Sequence, residues 1–370
     1  PHVFDFKVCK WRLTTKDDYI SIKTNMTMEQ CLNADTTTTI ALLNDIFPNK
    51  DQYEFMLNML SDAMYENRKQ VMGIFSGVGA NGKSLLIKIL SEALGPDYLA
   101  NMDVEYLTSS KKNTAGAANS ELVNAVYAKL LICTEPDDSE VLHNGKIKAL
   151  TGSDEITGRK LYENSITFKP CFTPIILCNS SFKVKNAHEP ALNRRLIFSK
   201  FTQKFVDGPE LKENEKIKKE EYYQKDYLTT FSRGLMRLLL EQYIKLEETI
   251  GGTHKYPVPA IMATYKREFI NNCDDFMDYF NINYVFKKDE VETEYTKLVD
   301  LVSGYNAYLK ELGQKSTDKN IVKQKTLNIV GNENFKEVDN IYVIIDKKKS
   351  RKMVRNTFRG IRPRNENDDE

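Results

Sequence analysis

A glycine-rich stretch that ends in a lysine and a serine has the spacing of a phosphate-binding loop. The stretch consists of Gly77, Val78, Gly79, Ala80, Asn81, Gly82, Lys83 and Ser84. Its glycines let backbone N–H groups turn toward an anion, and a following helix adds the positive end of its dipole. In such loops the lysine reaches the β- and γ-phosphates, and the serine hydroxyl binds Mg²⁺. We therefore predict a nucleotide site; the alternative is a glycine-rich turn without a ligand.

The residues on either side of this loop predict the elements that would hold it. Residues 71–75 are mostly apolar and indicate a short buried strand. After the loop, apolar residues recur at helical spacing from Leu85 to Leu94, and Gly95 with Pro96 ends the helix. The local order is therefore strand, glycine loop, helix.

Two later apolar runs each end in a polar residue that could take part in hydrolysis. Glu135 follows the run 130–133, and Asn179 follows the run 175–178. Because ligands of parallel α/β sheets lie outside the carboxyl ends of the strands, both side chains would face the phosphates. Glu135 would activate the attacking water, and Asn179 would orient it. The alternatives are an ordinary cap for Glu135 and an ordinary turn residue for Asn179.

Two groups of basic residues could act on phosphate or on DNA. Arg194 and Arg195 precede another apolar run. They could form a surface salt-bridge site, or they could be arginine fingers that stabilise the γ-phosphoryl charge bound by a neighbouring subunit. Arg159, Lys160 and Lys169 give positive charge to a predicted β-hairpin.

The composition of the chain limits its class. It has 370 residues, of which 41% are hydrophobic, so two or three domains with real cores are expected. No run of eighteen apolar residues and no signal-peptide pattern is present. The six cysteines form no CxxC pair, which argues for reduced thiols and against a zinc site. We expect a soluble, intracellular protein, and because the net charge is only +1, any nucleic-acid surface must be local.

Five blocks of the sequence occur in the order that characterises one known family. The blocks are GVGANGKS, LLICTEPDD, IKALTGSDEITGRKLY, TPIILCNSSF and LNRRLIFSKF. In this order they resemble the Walker A, Walker B, B-prime, motif C and arginine-finger blocks of superfamily 3 helicases. The nearest resemblance is to the primase-helicases of poxviruses and related large DNA viruses, and of phages and plasmids. It is strong over residues 71–200 and weaker on both sides.

This resemblance implies an AAA+-type hexameric ring that hydrolyses ATP between subunits, with Mg²⁺, and pulls one DNA strand through its pore. The implied roles are phosphate and Mg²⁺ binding for Lys83 and Ser84, Walker B carboxylate and Mg²⁺ ligand for Glu135, sensor 1 for Asn179, and finger for Arg194 or Arg195.

The resemblance also bears on the hairpin and on the metal. Arg159 and Lys160 fall in the B-prime block, whose hairpin contacts DNA in this family. Many relatives have two adjacent acids in Walker B, whereas here Pro136 follows the glutamate. A second acid of the Mg²⁺ shell is therefore left open, with Asp137 and Asp138 as candidates.

The predicted fold class is α/β, with an AAA+-like P-loop ATPase core, flanking helices and a C-terminal winged-helix-like module. The predicted domains are an N-terminal pre-helicase or collar segment at 1–65, the P-loop ATPase domain at 66–205, a helical connection at 206–262 and the winged-helix-like domain at 263–370.

The last of these domains is predicted from a helix, a second helix and a hairpin near the end of the chain. The second helix carries Lys319, Lys323 and Lys325. A basic helix with a basic hairpin would suit contacts to the phosphate backbone of DNA. The alternative is a lysine-rich, solvated face on a packing domain.

The sequence thus predicts an ATP-driven DNA helicase of viral-type genome replication, the helicase part of a longer primase-helicase. Its expected partners are single-stranded and forked DNA, further copies of itself, and replication proteins such as a polymerase or processivity factor, but no membrane. It would work in the host cytoplasm or at a viral replication site. The alternatives are a P-loop kinase or GTPase, and a nucleotide-gated DNA-binding scaffold.

Overall fold

The computed structural model describes most of the chain. The described residues are 2–66, 70–108, 119–133, 135–136, 140–179, 182–185, 187, 189–208, 212–219, 222, 224–251, 255–273, 275–288, 294–313, 315–345 and 348–365. Asp137 and Asp138, the two candidates for a second Mg²⁺-shell acid, lie outside them. Within the described residues, no helix is long and apolar enough to cross a membrane.

The helices lie before, between and after the strands of the central sheet. They are α1 (Met28–Leu32), α2 (Thr37–Ile46), α3 (Lys50–Tyr65), α4 (Lys83–Leu94), α5 (Glu105–Thr108), α6 (Ser120–Asn124), α7 (Asn144–Thr151), α8 (Pro190–Asn193), α9 (Lys225–Ile250), α10 (Ala260–Asn272), α11 (Asp275–Asn283), α12 (Leu298–Glu311) and α13 (Lys319–Val330).

The strands form one larger sheet and several small ones. They are β1 (His2–Asp5), β2 (Lys10–Leu13), β3 (Met72–Ser76), β4 (Leu99–Met102), β5 (Leu130–Cys133), β6 (Val141–Leu142), β7 (Ile156–Gly158), β8 (Ile166–Phe168), β9 (Thr173–Cys178), β10 (Lys183–Val184), β11 (Leu196–Lys200), β12 (Lys204–Val206), β13 (Glu215–Ile217), β14 (Tyr284–Phe286), β15 (Tyr295–Lys297), β16 (Phe335–Ile345), β17 (Lys348–Arg359) and β18 (Ile361–Pro363).

The central sheet has five parallel strands in the order β11-β3-β9-β5-β4. The strand that precedes the glycine loop, β3, therefore lies between β11 and β9. The strand β9 in turn separates β3 from β5. The predicted α/β class, with a parallel sheet, is confirmed.

Both faces of this sheet are buried, which explains why its strands are almost continuously apolar. On one face Phe75, Leu130 and Ile175 pack with α3, α4 and α9. On the other, Ile74 and Ile176 pack with side chains of α7 and α10. Because successive strand residues point to opposite faces, every position in a strand must be apolar to satisfy both cores.

Residues 1–273 form one compact unit and residues 274–370 a second. The predicted segments 1–65, 66–205 and 206–262 therefore belong to a single unit, because α3 and α9 share one core with α4. The second unit begins at residue 274. The helix α10 stays with the first unit, since Phe269 packs against Phe198 of the sheet with ring centroids 4.8 Å apart.

The second unit consists of α11–α13 and a three-stranded antiparallel sheet in the order β15-β17-β16. Its predicted basic helix is α13, but two of the lysines cover apolar surface. Lys323 Nζ lies 4.0 Å from the ring centroid of Phe335, and Lys325 Nζ lies 5.8 Å from that of Phe276. Their positive charge is directed at aromatic rings of the core, which weakens the prediction of a DNA-binding helix.

Candidate functional site

The glycine loop connects the end of β3 at Ser76 to the start of α4 at Lys83. Two of its glycines are needed for the path of the chain. Gly82 has φ +85°, a conformation that favours glycine. A Cβ on Gly77 would lie 2.2 Å from Asn81 Nδ2 and 2.6 Å from the carbonyl oxygen of Phe201. The loop is thus folded tightly around its own Asn81 side chain.

Replacing Gly77 by alanine should therefore destabilise the protein, by about 1–3 kcal/mol as for other overpacked sites. The matched control is Gly79→Ala, since a Cβ at Gly79 would meet nothing within 4 Å. Thermal unfolding of the two variants measures the difference. Equal midpoints would contradict the close packing of the loop around Asn81.

Lys83 is almost fully buried beneath this loop, with 5% of its surface exposed. Its Nζ donates to the carbonyl oxygen of Gly77 at 2.5 Å, to Asn81 Oδ1 at 3.2 Å and to Asn179 Oδ1 at 3.0 Å. Burial lowers the pKa of the amine, and the nearby Cys178 and Glu135 oppose that shift. Three oxygen acceptors therefore fix the position of the ammonium beneath the loop.

Asn179 joins this lysine to the predicted catalytic carboxylate. Its backbone N–H donates to Glu135 Oε1, and its Nδ2 donates to Glu135 Oε2 at 2.9 Å. The strands explain the meeting, because β5 and β9 are neighbours with Cys133 paired to Ile176. Lys83, Asn179 and Glu135 thus form one continuous chain of hydrogen bonds at the carboxyl edge of the sheet.

The outer part of the loop faces solvent. Val78, Gly79, Ala80 and Ser84 are exposed, as are Glu135 and Asn179. The Ser84 hydroxyl is therefore accessible to a metal ion, and Glu135 supplies an accessible carboxylate. Within the described ranges, no group of three or more His, Cys, Asp or Glu side chains could hold a metal. Any Mg²⁺ here would need oxygen ligands from phosphate and water as well.

Some residues that shape the loop could not be found from the motif. Phe205 donates its backbone N–H to the carbonyl oxygen of Ala80 at 2.7 Å, and Phe201 does so to Ser76 at 2.7 Å. Asn81, predicted only as part of the phosphate-binding backbone, is 4% exposed and its Nδ2 donates to the Val78 carbonyl at 3.3 Å. No local pattern distinguishes this inward asparagine from an exposed one.

The two arginines differ sharply in their surroundings. Arg194 is exposed, whereas Arg195 is 9% exposed and its Nη1 donates to the carbonyl oxygen of Ala191 at 2.6 Å. Burial and the charge of Arg194 lower the pKa of Arg195. Of the pair, Arg194 is the one that a partner could reach.

Both arginines lie at the amino-terminal ends of the parallel strands, whereas the loop lies at the carboxyl ends. The carbonyl oxygen of Arg195 accepts from the N–H of Met72, at the start of β3, with a distance of 2.8 Å. Four residue steps along the strand then separate Met72 from Ser76, roughly 13 Å. The structure therefore does not bring Arg194 to the glycine loop of its own chain.

The predicted basic hairpin is formed by β7 and β8, which pair antiparallel. Arg159 and Lys160 are half-buried and Lys169 is exposed. Tyr162, which the sequence prediction did not single out, is 96% exposed at the turn, with φ +63°. Among the described residues, no hydrogen bond or ion pair connects Arg159, Lys160 or Lys169 with the glycine loop.

Comparison with known proteins finds relatives among viral proteins that carry the names of helicases and primases. Residues 75–195 match the model of a family of unknown function, DUF5906. A "Putative helicase L207/L206" of Acanthamoeba polyphaga mimivirus is 30% identical over 78% of this chain and 30% of that protein. A "Putative primase C962R" of African swine fever virus is 24% identical over 73% of this chain and 28% of that protein.

The fold is also found in a solved structure. The apo structure of the NrS-1 C-terminal region has a TM-score of 0.51 and 13% identity, and the match covers 86% of this chain and 75% of that one. This similarity concerns the fold alone.

The chain is, by fold, a mixed α/β protein built on a buried parallel sheet. By sequence it is a relative of the putative helicases and primases of large DNA viruses. The predicted resemblance to viral primase-helicases is confirmed. The chain spans about a third of the length of the curated relatives it matches.

Proposed function

We propose that this chain is an ATP-driven DNA helicase of the superfamily 3 type, acting in viral-type genome replication. One observation carries the proposal. The loop lysine Lys83, the amide of Asn179 and the carboxylate of Glu135 meet at one edge of a parallel sheet, joined by hydrogen bonds. The relatives named as helicase and primase support DNA as the substrate of the mechanical work.

In the proposed site, residues 77–82 surround the phosphates of ATP with backbone N–H groups. The Lys83 ammonium neutralises charge on the β- and γ-phosphates. Ser84 and Glu135 would hold Mg²⁺, which neutralises the charge that develops on the phosphate oxygens. Glu135 accepts the proton of the attacking water, and Asn179 fixes the orientation of the Glu135 carboxylate and of the water.

The proposed site is completed by a neighbouring subunit. Arg194 is exposed but lies at the end of the strands opposite to the glycine loop of its own chain. We therefore assign it to the ATP of the next subunit in a ring. A guanidinium supplied in this way stabilises the transferring phosphoryl group. The buried Arg195, whose Nη1 bonds to the Ala191 carbonyl, would support the segment that carries Arg194.

Mixing two inactive variants should therefore restore ATP hydrolysis. Lys83→Ala chains keep the finger and lose the loop lysine, whereas Arg194→Ala chains do the reverse. At a mixed interface an intact loop meets an intact finger, so a 1:1 mixture should regain up to about a quarter of the wild-type rate if interfaces form at random. Steady-state phosphate release measures it, and no recovery in a mixture shown to co-assemble would contradict a shared site.

In this proposal DNA contacts come from the β7–β8 hairpin. Arg159, Lys160 and Lys169 would bind backbone phosphates inside a homohexameric ring, and salt would weaken that binding. A polymerase or processivity factor would be a further partner of the assembled protein.

Unwinding of forked DNA tests the function directly. With ATP and Mg²⁺, the protein should separate a fork whose single-stranded arm has one polarity and not the other. Phosphate release without DNA stimulation by a monomer would instead indicate a kinase or GTPase. Nucleotide binding without any hydrolysis would indicate a scaffold.

A further inference from the structure

The exposed Arg194 is presented by a very short helix. The helix α8 has only four residues, Pro190–Asn193, and Arg194 follows it directly, two residues before β11 begins. A helix of one turn has almost no stability of its own. The position of Arg194 therefore depends on contacts that fix α8 from outside.

The start of α8 is held by α7. Glu189, which precedes the helix, accepts from Lys148 Nζ at 2.5 Å and from Asn144 Nδ2 at 3.0 Å. These interactions lower the pKa of the Glu189 carboxyl, so it stays ionised near neutral pH. The start of the segment 189–194, which carries Arg194, is thereby attached to α7.

The other end of α8 is held by a lysine from a distant part of the chain. Lys266 Nζ of α10 donates to the carbonyl oxygen of Asn193, the residue directly before Arg194. The carbonyls at the end of a helix lack partners within the helix, and a cationic donor suits them. Lys266 is half-buried, and burial lowers the pKa of its amine to about 8, so it is still mostly protonated at pH 7.

The helix that carries Lys266 is firmly attached to the sheet. Phe269, one turn further along α10, packs against Phe198 of β11 at 4.8 Å and against Phe182 at 5.1 Å. Through α10, Lys266 therefore connects the sheet to the carbonyl oxygen at the end of α8.

We propose that Lys266 is a positioning residue that holds Arg194 in place to act on the ATP of the neighbouring subunit. The inference rests on the proposed function, since it needs a finger that acts between subunits. Lys266 itself would touch neither nucleotide nor DNA. Small displacements of a catalytic group reduce rates strongly. Removing the hydrogen bond from Lys266 to Asn193 should therefore lower kcat, while nucleotide binding by the same chain stays intact.

The first measurement compares single variants. Lys266→Met should lower kcat by about 10-fold or more with KM for ATP nearly unchanged. Lys266→Arg keeps a cationic donor and should restore part of the rate. Arg267→Met is the matched control, because Arg267 is the exposed neighbour on the same helix. A wild-type kcat in Lys266→Met, or a loss of kcat that Lys266→Arg does not repair, would overturn the proposal.

The second measurement uses mixtures to identify the side of the interface that is damaged. Lys266→Met chains have an intact loop and a displaced finger, so Lys83→Ala chains should rescue them and Arg194→Ala chains should not. If Arg194→Ala chains rescue them instead, Lys266 supports the loop of its own chain and the proposal is wrong.

The mixture of Lys83→Ala with Arg194→Ala chains separates the two levels of inference. Recovery in that mixture keeps the shared site, whatever Lys266 does. Its failure removes the shared site, and the role of Lys266 with it. Should Lys266→Met fail to fold, Lys266→Ala, which also lacks an N–H donor, takes its place in the same mixtures.

Discussion

Replacing Lys83 by alanine is expected to reduce ATP hydrolysis by about 10³-fold or more. The ammonium lies under the glycine loop, and burial in a site of low dielectric makes its attraction to phosphate stronger than in water. The substitution also leaves the oxygens of Gly77, Asn81 and Asn179 without their common donor. Steady-state phosphate release with saturating ATP and DNA measures the effect.

A matched control for this variant is Lys88→Ala. Lys88 is exposed on the same helix, α4, and should be replaceable without a change in rate beyond about twofold. Thermal unfolding of both variants shows whether they are folded. Rapid turnover by a folded Lys83→Ala protein would exclude the proposed nucleotide site.

Replacing Glu135 by glutamine is expected to separate binding from hydrolysis. The amide keeps the size of the side chain but cannot accept a proton from water, so the rate should fall by about 10²- to 10⁴-fold. Affinity for ATP should stay within a few fold, because the loop, Lys83 and Ser84 are unchanged and the glutamine keeps an oxygen that can bind Mg²⁺. Binding of a fluorescent nucleotide, measured beside phosphate release, distinguishes the two effects.

The control for this second variant is Glu105→Gln, an exposed carboxylate on α5. Its rate and affinity should equal those of the wild type. If Glu135→Gln hydrolysed ATP at the normal rate, the water would have to be activated elsewhere. Equal losses of binding and hydrolysis would instead indicate that Glu135 serves mainly to hold the metal.

Much of the fold could be predicted because its strands are buried on both sides. A strand with two apolar faces gives a continuous apolar run, and the runs at 71–75, 130–133 and 175–178 all became parallel strands. The polar residues that end two of these runs, Glu135 and Asn179, lie together for the same reason. The helix after the loop was predicted from a different pattern, the recurrence of apolar residues at helical spacing from Leu85 to Leu94.

The order of the strands could not be read from these patterns. Apolar runs do not say which strands are neighbours, and only the sheet shows that β9 lies between β3 and β5. The use of side chains was equally hidden. Nothing local indicates that Lys323 covers an aromatic ring, or that Arg194 is exposed while Arg195 is buried. The amphipathic pattern of α10 likewise does not indicate that Phe269 packs on the central sheet.

The strand order also restricts which side chain can occupy position 179. Asn179 accepts from a cation through its oxygen and donates to an anion through its nitrogen. Aspartate would set a negative charge against Glu135, and lysine would set a positive charge against Lys83. An uncharged side chain with an acceptor at one branch and a donor at the other suits both neighbours. Isosteric replacement by Asp removes the donor and keeps an acceptor, whereas replacement by Leu removes both. Position 179, after the middle strand of the site, therefore accepts few side chains, because it lies between a cation and an anion.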